Sequence, residues 1–342
     1  MTDSRRLWSP LLATAIGLLV AADGGAEPGP GDRFFDAAKV VQISLTMTPE
    51  AFANLDPLAP GADGARANDA HRNTFGMLLP WSRADLVVDG MSFRDVGIRA
   101  KGNYTFMASM RSLEKSLKID LDRHEKGQAI DGLTGLTLNN GVSDPSGARE
   151  AFAYAVFRAA GVPAPRTTLA EVRLTVPGRW ADEFVGVATV VEPVNKGFLV
   201  RHFGDSTGML LKPEGLAGGP VFLGPQWQPY AERYRPEKTP TARQKRRLIE
   251  FTELVSNADD EAFATHINSH LDVDAFLRFI AANALLSNLD SYLAYGHNYY
   301  LYLDPVTDRF VFIPWDLDLA LATWPAAGSP ERLVTLSLDH PH

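Results

Sequence analysis

The chain has 342 residues, of which 45% are apolar and 22% are charged, so it is long enough for two domains or lobes with an ample core. Its formal net charge of −8 argues against general nucleic-acid binding, which favours a basic surface. Cysteine is absent, which excludes disulfide bonds and thiolate zinc sites.

The first 26 residues have the pattern of a secretory signal peptide. Arg5 and Arg6 supply the positive amino-terminal region, and residues 11–22 form an apolar run, LLATAIGLLVAA. Small residues follow, and cleavage is expected after Ala22 or Ala26. The run is shorter than the ~20 residues of a membrane span. We therefore expect export to the periplasm or the medium, with no stable membrane span after cleavage.

Residues 34–195 are predicted to form a strand-rich half. Asp89-Gly90 between two alternating segments is a strong hairpin signal. In the segment 115–121, alternation places Lys118 on the opposite face from Leu117 and Ile119. The predicted strands are residues 39–47, 84–88, 92–99, 115–121, 167–176 and 183–191.

Residues 196–342 are predicted to form a helical half. An apolar helical pattern indicates three helices in series after a loop rich in glycine and proline. Strands first and helices second indicate an α+β, two-lobe fold. The predicted helices are residues 241–257, 259–270 and 272–288, with an earlier one at 145–160 in the strand-rich half.

A predicted hairpin near the carboxyl end carries the residues most suggestive of chemistry. Residues 299–303 and 309–314 read as strands around a turn, with Asn298 before the first and Asp316 after the second. Asp290 follows the last long helix. A hairpin would bring these side chains together. Phosphoryl-transfer sites of the protein-kinase type use such a set, in which one Asp orients the acceptor and an Asn and a second Asp hold Mg²⁺.

Residue chemistry alone leaves other interpretations open. Asn298 and Asp316 are also ordinary turn and strand-end residues, and eight positions separate Asp290 from Asn298, unlike the H-R-D-x-x-x-x-N signature. Gly102, flanked by Arg99 and Lys101, either binds phosphate or is an exposed basic turn. The basic stretch 243–247 is a solvated face or a dock for an acidic acceptor.

Several motifs in order resemble the CotH kinase family, atypical secreted kinase-like proteins named for spore coat protein H. The similarity runs from about residue 98 to residue 341, and the last two motifs are the most specific. The motifs are Ile98-Arg99-Ala100-Lys101-Gly102-Asn103, Lys115-Ser116-Leu117-Lys118-Ile119, Leu136-Thr137-Leu138-Asn139-Asn140-Gly141, Arg149-Glu150, Gly161-Val162-Pro163-Ala164-Pro165-Arg166, Val191-Glu192-Pro193-Val194, Asn288-Leu289-Asp290, His297-Asn298-Tyr299-Tyr300-Leu301-Tyr302 and Pro314-Trp315-Asp316-Leu317-Asp318.

The resemblance implies a two-lobe, protein-kinase-like fold that binds ATP with Mg²⁺ or Mn²⁺ and phosphorylates Ser or Thr of envelope or coat proteins, or of itself. It implies that Asp290 is the catalytic Asp and that Glu150 is a candidate for the helix glutamate that pairs with the nucleotide lysine. Its nucleotide-binding residues would be Arg99, Lys101, Gly102, Asn103, Lys118 and Glu192, and its metal ligands Asn298 with Asp316 or Asp318, of which Asp316 is preferred.

Family members carry more helix after Pro-Trp-Asp, so we expect the helical lobe, which here stops 24 residues beyond Asp318, to be incomplete. Two other interpretations compete with an active kinase. One is a catalytically weak, kinase-fold assembly protein of a coat or envelope. The other is a metal-dependent hydrolase, for which a denser His, Asp and Glu cluster would be expected.

Overall fold

The computed structural model of the protein describes residues 29–36, 38–59, 61–144, 146–213, 219–333, 335 and 337. The predicted signal peptide, residues 1–26, lies outside them. The described part is a mixed α+β structure with a large sheet closed into a barrel and a small sheet in the helical half. The strands are β1 (Val40–Thr46), β2 (His71–Arg72), β3 (Leu78–Leu79), β4 (Ser82–Val88), β5 (Met91–Ala100), β6 (Leu117–Asp120), β7 (Gly135–Asn139), β8 (Thr167–Val176), β9 (Trp180–Val191), β10 (Met209–Leu211), β11 (Tyr299–Leu303) and β12 (Phe310–Pro314).

The helices are short in the first half and longer in the second. In order they are α1 (Pro49–Ala53), α2 (Ala65–Asn68), α3 (Tyr104–Ala108), α4 (Arg149–Ala159), α5 (Lys196–Phe203), α6 (Gln228–Tyr234), α7 (Ala242–Asn257), α8 (Asp260–His266), α9 (Val273–Leu285), α10 (Tyr292–Tyr295) and α11 (Pro330–Leu333). None of these helices in the described residues is long and apolar enough to cross a membrane.

The barrel closes in the strand order β1-β4-β5-β6-β7-β9-β8. Neighbouring strands are antiparallel except β1 and β8, whose parallel pairing closes the barrel. At the predicted hairpin between β4 and β5, Asp89 and Gly90 both have positive φ, 47° and 83°, as a two-residue turn requires. Ile43, Ile98 and Ile119 are fully buried in the apolar interior. The barrel is therefore a packed core, and its outer face is the surface left for binding.

Arg99, Lys118 and Thr137 are neighbours on that outer face. Arg99 of β5 pairs with Lys118 of β6, which pairs with Thr137 of β7. The alternation predicted for residues 115–121 is confirmed, since Leu117 and Ile119 point into the core. The outer face of β5, β6 and β7 therefore carries polar and cationic side chains.

The helical half surrounds the hairpin of β11 and β12, to which β10 adds a third strand. The side chains of Thr241, Asp259 and Asp272 cap α7, α8 and α9, because each accepts a bond from the first turn of its helix. Rings from helices and hairpin share one core, for example Phe251 stacked 4.8 Å from Phe310. One face of the hairpin therefore packs against the helices.

Helix α4 joins the barrel to the helical half. It lies within residues 34–195, yet Ala153, Tyr154 and Phe157 are buried in the core of the helical half. The ring of Phe157 lies 5.8 Å from that of Phe279 in α9, and α4 also contacts β8 and β9. Polar groups at the start of α4 are consequently placed between the barrel and the hairpin.

Candidate active site

A cavity of about 970 Å³ lies between the outer face of the barrel and the open end of the hairpin. Nine of the residues that the sequence nominated line it, whereas Glu150 and Glu192 do not. They fall into an acidic end beside the hairpin and a basic end beside the barrel. The lining candidates are Arg99, Lys101, Gly102, Asn103, Lys118, Asp290, Asn298, Asp316 and Asp318.

The open end of the hairpin carries both Asn298 and Asp316. Tyr299 and Pro314 form its last pair, and the Trp315 backbone N–H donates to the carbonyl of Asn298 at 3.1 Å. Both Asn298 and Asp316 have left-handed backbone, with φ of 57° and 59°. Asn and Asp tolerate this conformation better than most residues. The turned backbone carries each side chain out of its strand direction and into the cavity.

Asp290 is fixed by two neighbours from the same segment. Its Oδ1 lies 2.7 Å from Nε2 of His297, and its Oδ2 accepts from the Asn298 amide at 3.2 Å. The Asn298 amide also donates to the Asp290 carbonyl at 2.7 Å. His297 is almost fully buried, whereas the carboxylate of Asp290 is partly exposed to the cavity. An acid held in one orientation at a cavity wall is suited to orienting an acceptor group.

The loop after β12 is tied down by α4. Arg149 donates to the carbonyl of Asp318 at 2.7 Å, and the backbone N–H of Asp316 donates to the hydroxyl of Tyr154 at 3.2 Å. Asp316 and Asp318 are therefore positioned by α4. This helix begins at Arg149, which is 167 residues before Asp316 in the chain.

The acidic end carries more negative than positive charge. Burial raises the pKa of Asp318 well above its ordinary value, and the charges of Asp316 and Glu150 raise it further. Burial and then Asp316 raise the pKa of Glu150 to about 7. Lys101 is the cation that opposes both shifts.

Lys101 reaches Glu150 through an amide. Its ammonium donates to Oδ1 of Asn139, whose Nδ2 donates to both carboxylate oxygens of Glu150 at 2.9 and 2.8 Å. Burial lowers the pKa of Lys101, while Asp316 and Glu150 favour its charged form. Lys101 is therefore the cation whose charge acts on Asp316, Glu150 and Asp318, whereas the resemblance implied that Lys118 is the lysine paired with the helix glutamate.

Lys118 stands at the basic end instead. Burial and then its cross-strand neighbour Arg99 lower its pKa. Arg99 is buried against the ring of Trp81, 5.3 Å from its centroid, and burial lowers its pKa to about 10. Burial and then Arg99 lower the pKa of His71 to about 3, so this imidazole is neutral. The basic end therefore carries the positive charges of Arg99 and Lys118 beside a neutral imidazole, and this arrangement is suited to binding anions.

The Gly102 loop is shaped by its glycine. Gly102 has a φ of 101°, and a Cβ there would lie 2.5 Å from Oγ1 of Thr105. The side chain of Asn103 accepts from the Thr74 N–H at 2.9 Å, and Asn73 donates to the carbonyl of Gly102 at 3.2 Å. These bonds fix the loop between β5 and β6 at the cavity mouth.

The carboxylate of Glu192 points away from the cavity. It accepts from Arg166 at 2.6 and 3.2 Å and from Arg201 at 2.6 Å, and it is 2% exposed. Pro193, Val194 and Asn195, which follow it, do line the cavity. The side chain of Glu192 therefore joins the end of β9 to α5, and the residues that follow it line the cavity.

Sequence reasoning missed three contributors. Asn139 was visible only as part of a motif, and nothing indicated that it bridges Lys101 to Glu150. His297 was likewise visible only as part of a motif, yet it contacts Asp290. Lys212 follows the short strand β10 and carries no sequence signal, yet it lines the cavity.

The buried charge at Glu150 should be visible in the pH dependence of stability. A carboxyl group whose pKa is raised on folding binds its proton more tightly in the folded state, so stability falls as pH rises from about 4.5 towards 7. Without added divalent metal, we expect Glu150→Gln to gain about 3 kcal/mol relative to the parent between pH 4 and pH 8. Urea unfolding at several pH values measures this, and parallel curves for both proteins would contradict it.

Comparison with known proteins defines the class. The fold is a mixed α+β structure, and a model of the CotH kinase protein family matches residues 98–335. The chain therefore belongs to the CotH kinase family. It is also 26% identical over 216 residues to the inner spore coat protein H of Bacillus subtilis (strain 168), an alignment that covers 59% of this chain and 53% of that protein. The chain thus spans about half the length of this curated relative.

Proposed function

We propose that this protein is a metal-dependent protein kinase that transfers the γ-phosphate of ATP to Ser or Thr hydroxyls of other proteins or of itself. The observation that carries the proposal is that Asp290, Asn298, Asp316 and Lys101 line one cavity, and that Asn139 links Lys101 to the buried Glu150. In this proposal residues 34–195 form the nucleotide-binding lobe and residues 196–342 form the second lobe, with α4 as the helix that supplies the glutamate.

The donor atoms at the acidic end fit Mg²⁺ or Mn²⁺. Asp316 and Asp318 offer carboxylate oxygens, and the amide nitrogen of Asn298 is used by Asp290, which leaves the amide oxygen for a cation. Among the described residues no three His, Asp or Glu side chains stand in metal-binding geometry. Mg²⁺ in kinases is held by one or two carboxylates together with substrate phosphates and water, so this smaller set suffices.

The reaction assigned to the site is an in-line displacement. The acceptor hydroxyl oxygen bonds to the γ-phosphorus of ATP, the bond from that phosphorus to the β–γ bridging oxygen breaks, and ADP leaves with its electron pair. Asp290 orients the hydroxyl and accepts its proton. Asn298, Asp316 and Asp318 would hold the metal, which supplies neutralisation of phosphate charge. Lys101, Lys118 and Arg99 attract the phosphates, and the loop at Gly102 and Asn103 covers them.

The proposed substrates are coat or envelope proteins. Support comes from the relative in Bacillus subtilis, whose name places it in the inner spore coat. The signal-like pattern of residues 1–26 supports export of this chain. The ATP and the acceptor would then meet the enzyme outside the cytoplasm or during coat assembly.

The name of that relative also favours a second candidate, a kinase-fold assembly protein with weak or no catalysis. Nucleotide binding and transfer separate the two functions. An assembly protein needs neither an oriented Asp290 nor a cation facing Glu150. The presence of both favours the enzyme.

Titration calorimetry of the full-length protein with ATP tests the binding half of the proposal. We expect measurable affinity with Mg²⁺ or Mn²⁺ and much weaker affinity in EDTA, because the metal links the carboxylates to the phosphates. An absence of ATP binding with either metal would contradict a kinase function.

A further inference from the structure

Lys212 is a cation from the helical half that enters the cavity beside the hairpin. It follows β10, and its backbone N–H donates to the Tyr234 carbonyl at 2.9 Å. Its ammonium lies 5.5 Å from the ring centroids of both Tyr300 and Trp315, which pack edge to face. Contact with two ring faces holds a lysine side chain in one direction without neutralising its charge.

Lys212 lacks a carboxylate partner in the part of the chain that the structure describes. None of the ion pairs there includes it. A second cation lies against the same ring, since the ammonium of Lys101 is 5.9 Å from the Trp315 centroid. The charge of Lys212 also contributes to lowering the pKa values of Lys101, Lys118 and His71. Lys212 therefore stands between the two ends of the cavity.

We infer that Lys212 is a phosphate-binding residue that contacts the polyphosphate chain of the nucleotide where it passes from the basic end to the metal-binding end of the cavity. The inference rests on the proposed function and extends it, since it adds a cation from the second lobe to those of the barrel. A lysine acts here as a point charge and makes no bidentate contact. The repulsion between Lys212 and the neighbouring cations is offset once a polyanion lies between them, because each cation then attracts it.

The test compares Lys212→Met with Lys238→Met, a matched control that removes the charge of an exposed lysine at the rim of the same cavity. Calorimetry with ATP, AMP and inorganic tripolyphosphate, each with Mg²⁺, is run on both variants and the parent. We expect Lys212→Met to weaken ATP and tripolyphosphate binding about 10-fold or more and to change AMP binding less. Lys238→Met should stay within about two-fold, and Lys212→Arg should retain most of the affinity.

The outcomes separate the inference from the proposed function. If the parent binds ATP and both Met variants bind it equally well, the role of Lys212 is refuted and the kinase proposal stands. If the parent binds tripolyphosphate but not ATP, and Lys212→Met loses it, the anion site stands and the kinase proposal fails. If the parent binds none of the probes, both fail. A thermal melt of each variant shows whether a loss of binding is a loss of fold.

Discussion

Replacing Asp290 with alanine is expected to slow phosphate transfer about 100-fold or more while leaving Mg·ATP affinity close to that of the parent. Asp290 faces the cavity, and its partners are His297 and Asn298. Its proposed role is to orient the acceptor hydroxyl, which contributes to transfer and little to nucleotide binding. Asp316→Ala should behave differently, because loss of a metal ligand removes the metal-dependent part of ATP affinity as well as turnover.

Calorimetry with and without Mg²⁺, followed by a transfer assay, distinguishes these two effects. Asp120→Ala is the control, since Asp120 also lines the cavity but lies beside Lys118 at the basic end. Parental affinity and parental activity in both Asp290→Ala and Asp316→Ala would mean that the acids beside the hairpin are structural.

Replacing Lys101 with methionine is expected to have the second largest effect. The change leaves Glu150, Asp316 and Asp318 without their opposing cation, so the free energy of unfolding should fall by about 3 kcal/mol or more. Transfer should fall about 100-fold, the scale seen when one preorganised donor to a developing charge is removed. Lys118→Met should leave stability close to that of the parent, because the Lys118 side chain lies in the cavity wall and not in the apolar core, and it should weaken ATP binding about 10-fold.

A double variant separates stability from catalysis at this position. Lys101→Met with Glu150→Gln removes both partners of the amide-linked pair, so much of the lost stability should return. Transfer should not return, because no cation then faces the phosphates. If the double variant regains both stability and transfer, Lys101 serves only to neutralise Glu150. Urea unfolding and the transfer assay on four proteins complete the cycle.

Local pattern was sufficient for most elements that build the site. The hairpin of β11 and β12 was predicted within one residue at each end, because a turn between apolar strands is specified by neighbouring residues. The strand carrying Lys118 was predicted with the correct inward face, since alternation depends only on the pleat. These elements could be placed because their causes lie within about ten residues.

Partners across the fold could not be placed in the same way. The parallel pairing of β1 with β8 joins residues more than a hundred positions apart, and no local signal specifies it. Glu150 was sought as a partner for Lys118, whereas the side chain that reaches it belongs to Lys101 through Asn139. An amide bridge between two charges has no spacing rule in sequence.

The environment of Glu192 could have been predicted. The two strands expected at residues 167–176 and 183–191 pair with Thr167 opposite Val191, so Arg166 and Glu192 come next at the same end. Opposite charges at such positions form pairs. The resemblance assigned Glu192 to nucleotide binding and gave no partner for its side chain, which forms ion pairs with Arg166 and Arg201.

Transfer of labelled phosphate from γ-labelled ATP is the most direct test of a kinase function. The purified full-length protein is incubated with ATP and Mg²⁺ or Mn²⁺, with and without a coat-protein acceptor, beside Asp290→Ala at equal concentration. We predict label on Ser or Thr of the acceptor or of the protein itself, with at most about 1% of the rate in the variant. ATP binding without any transfer, or equal labelling of parent and variant, would contradict the proposal.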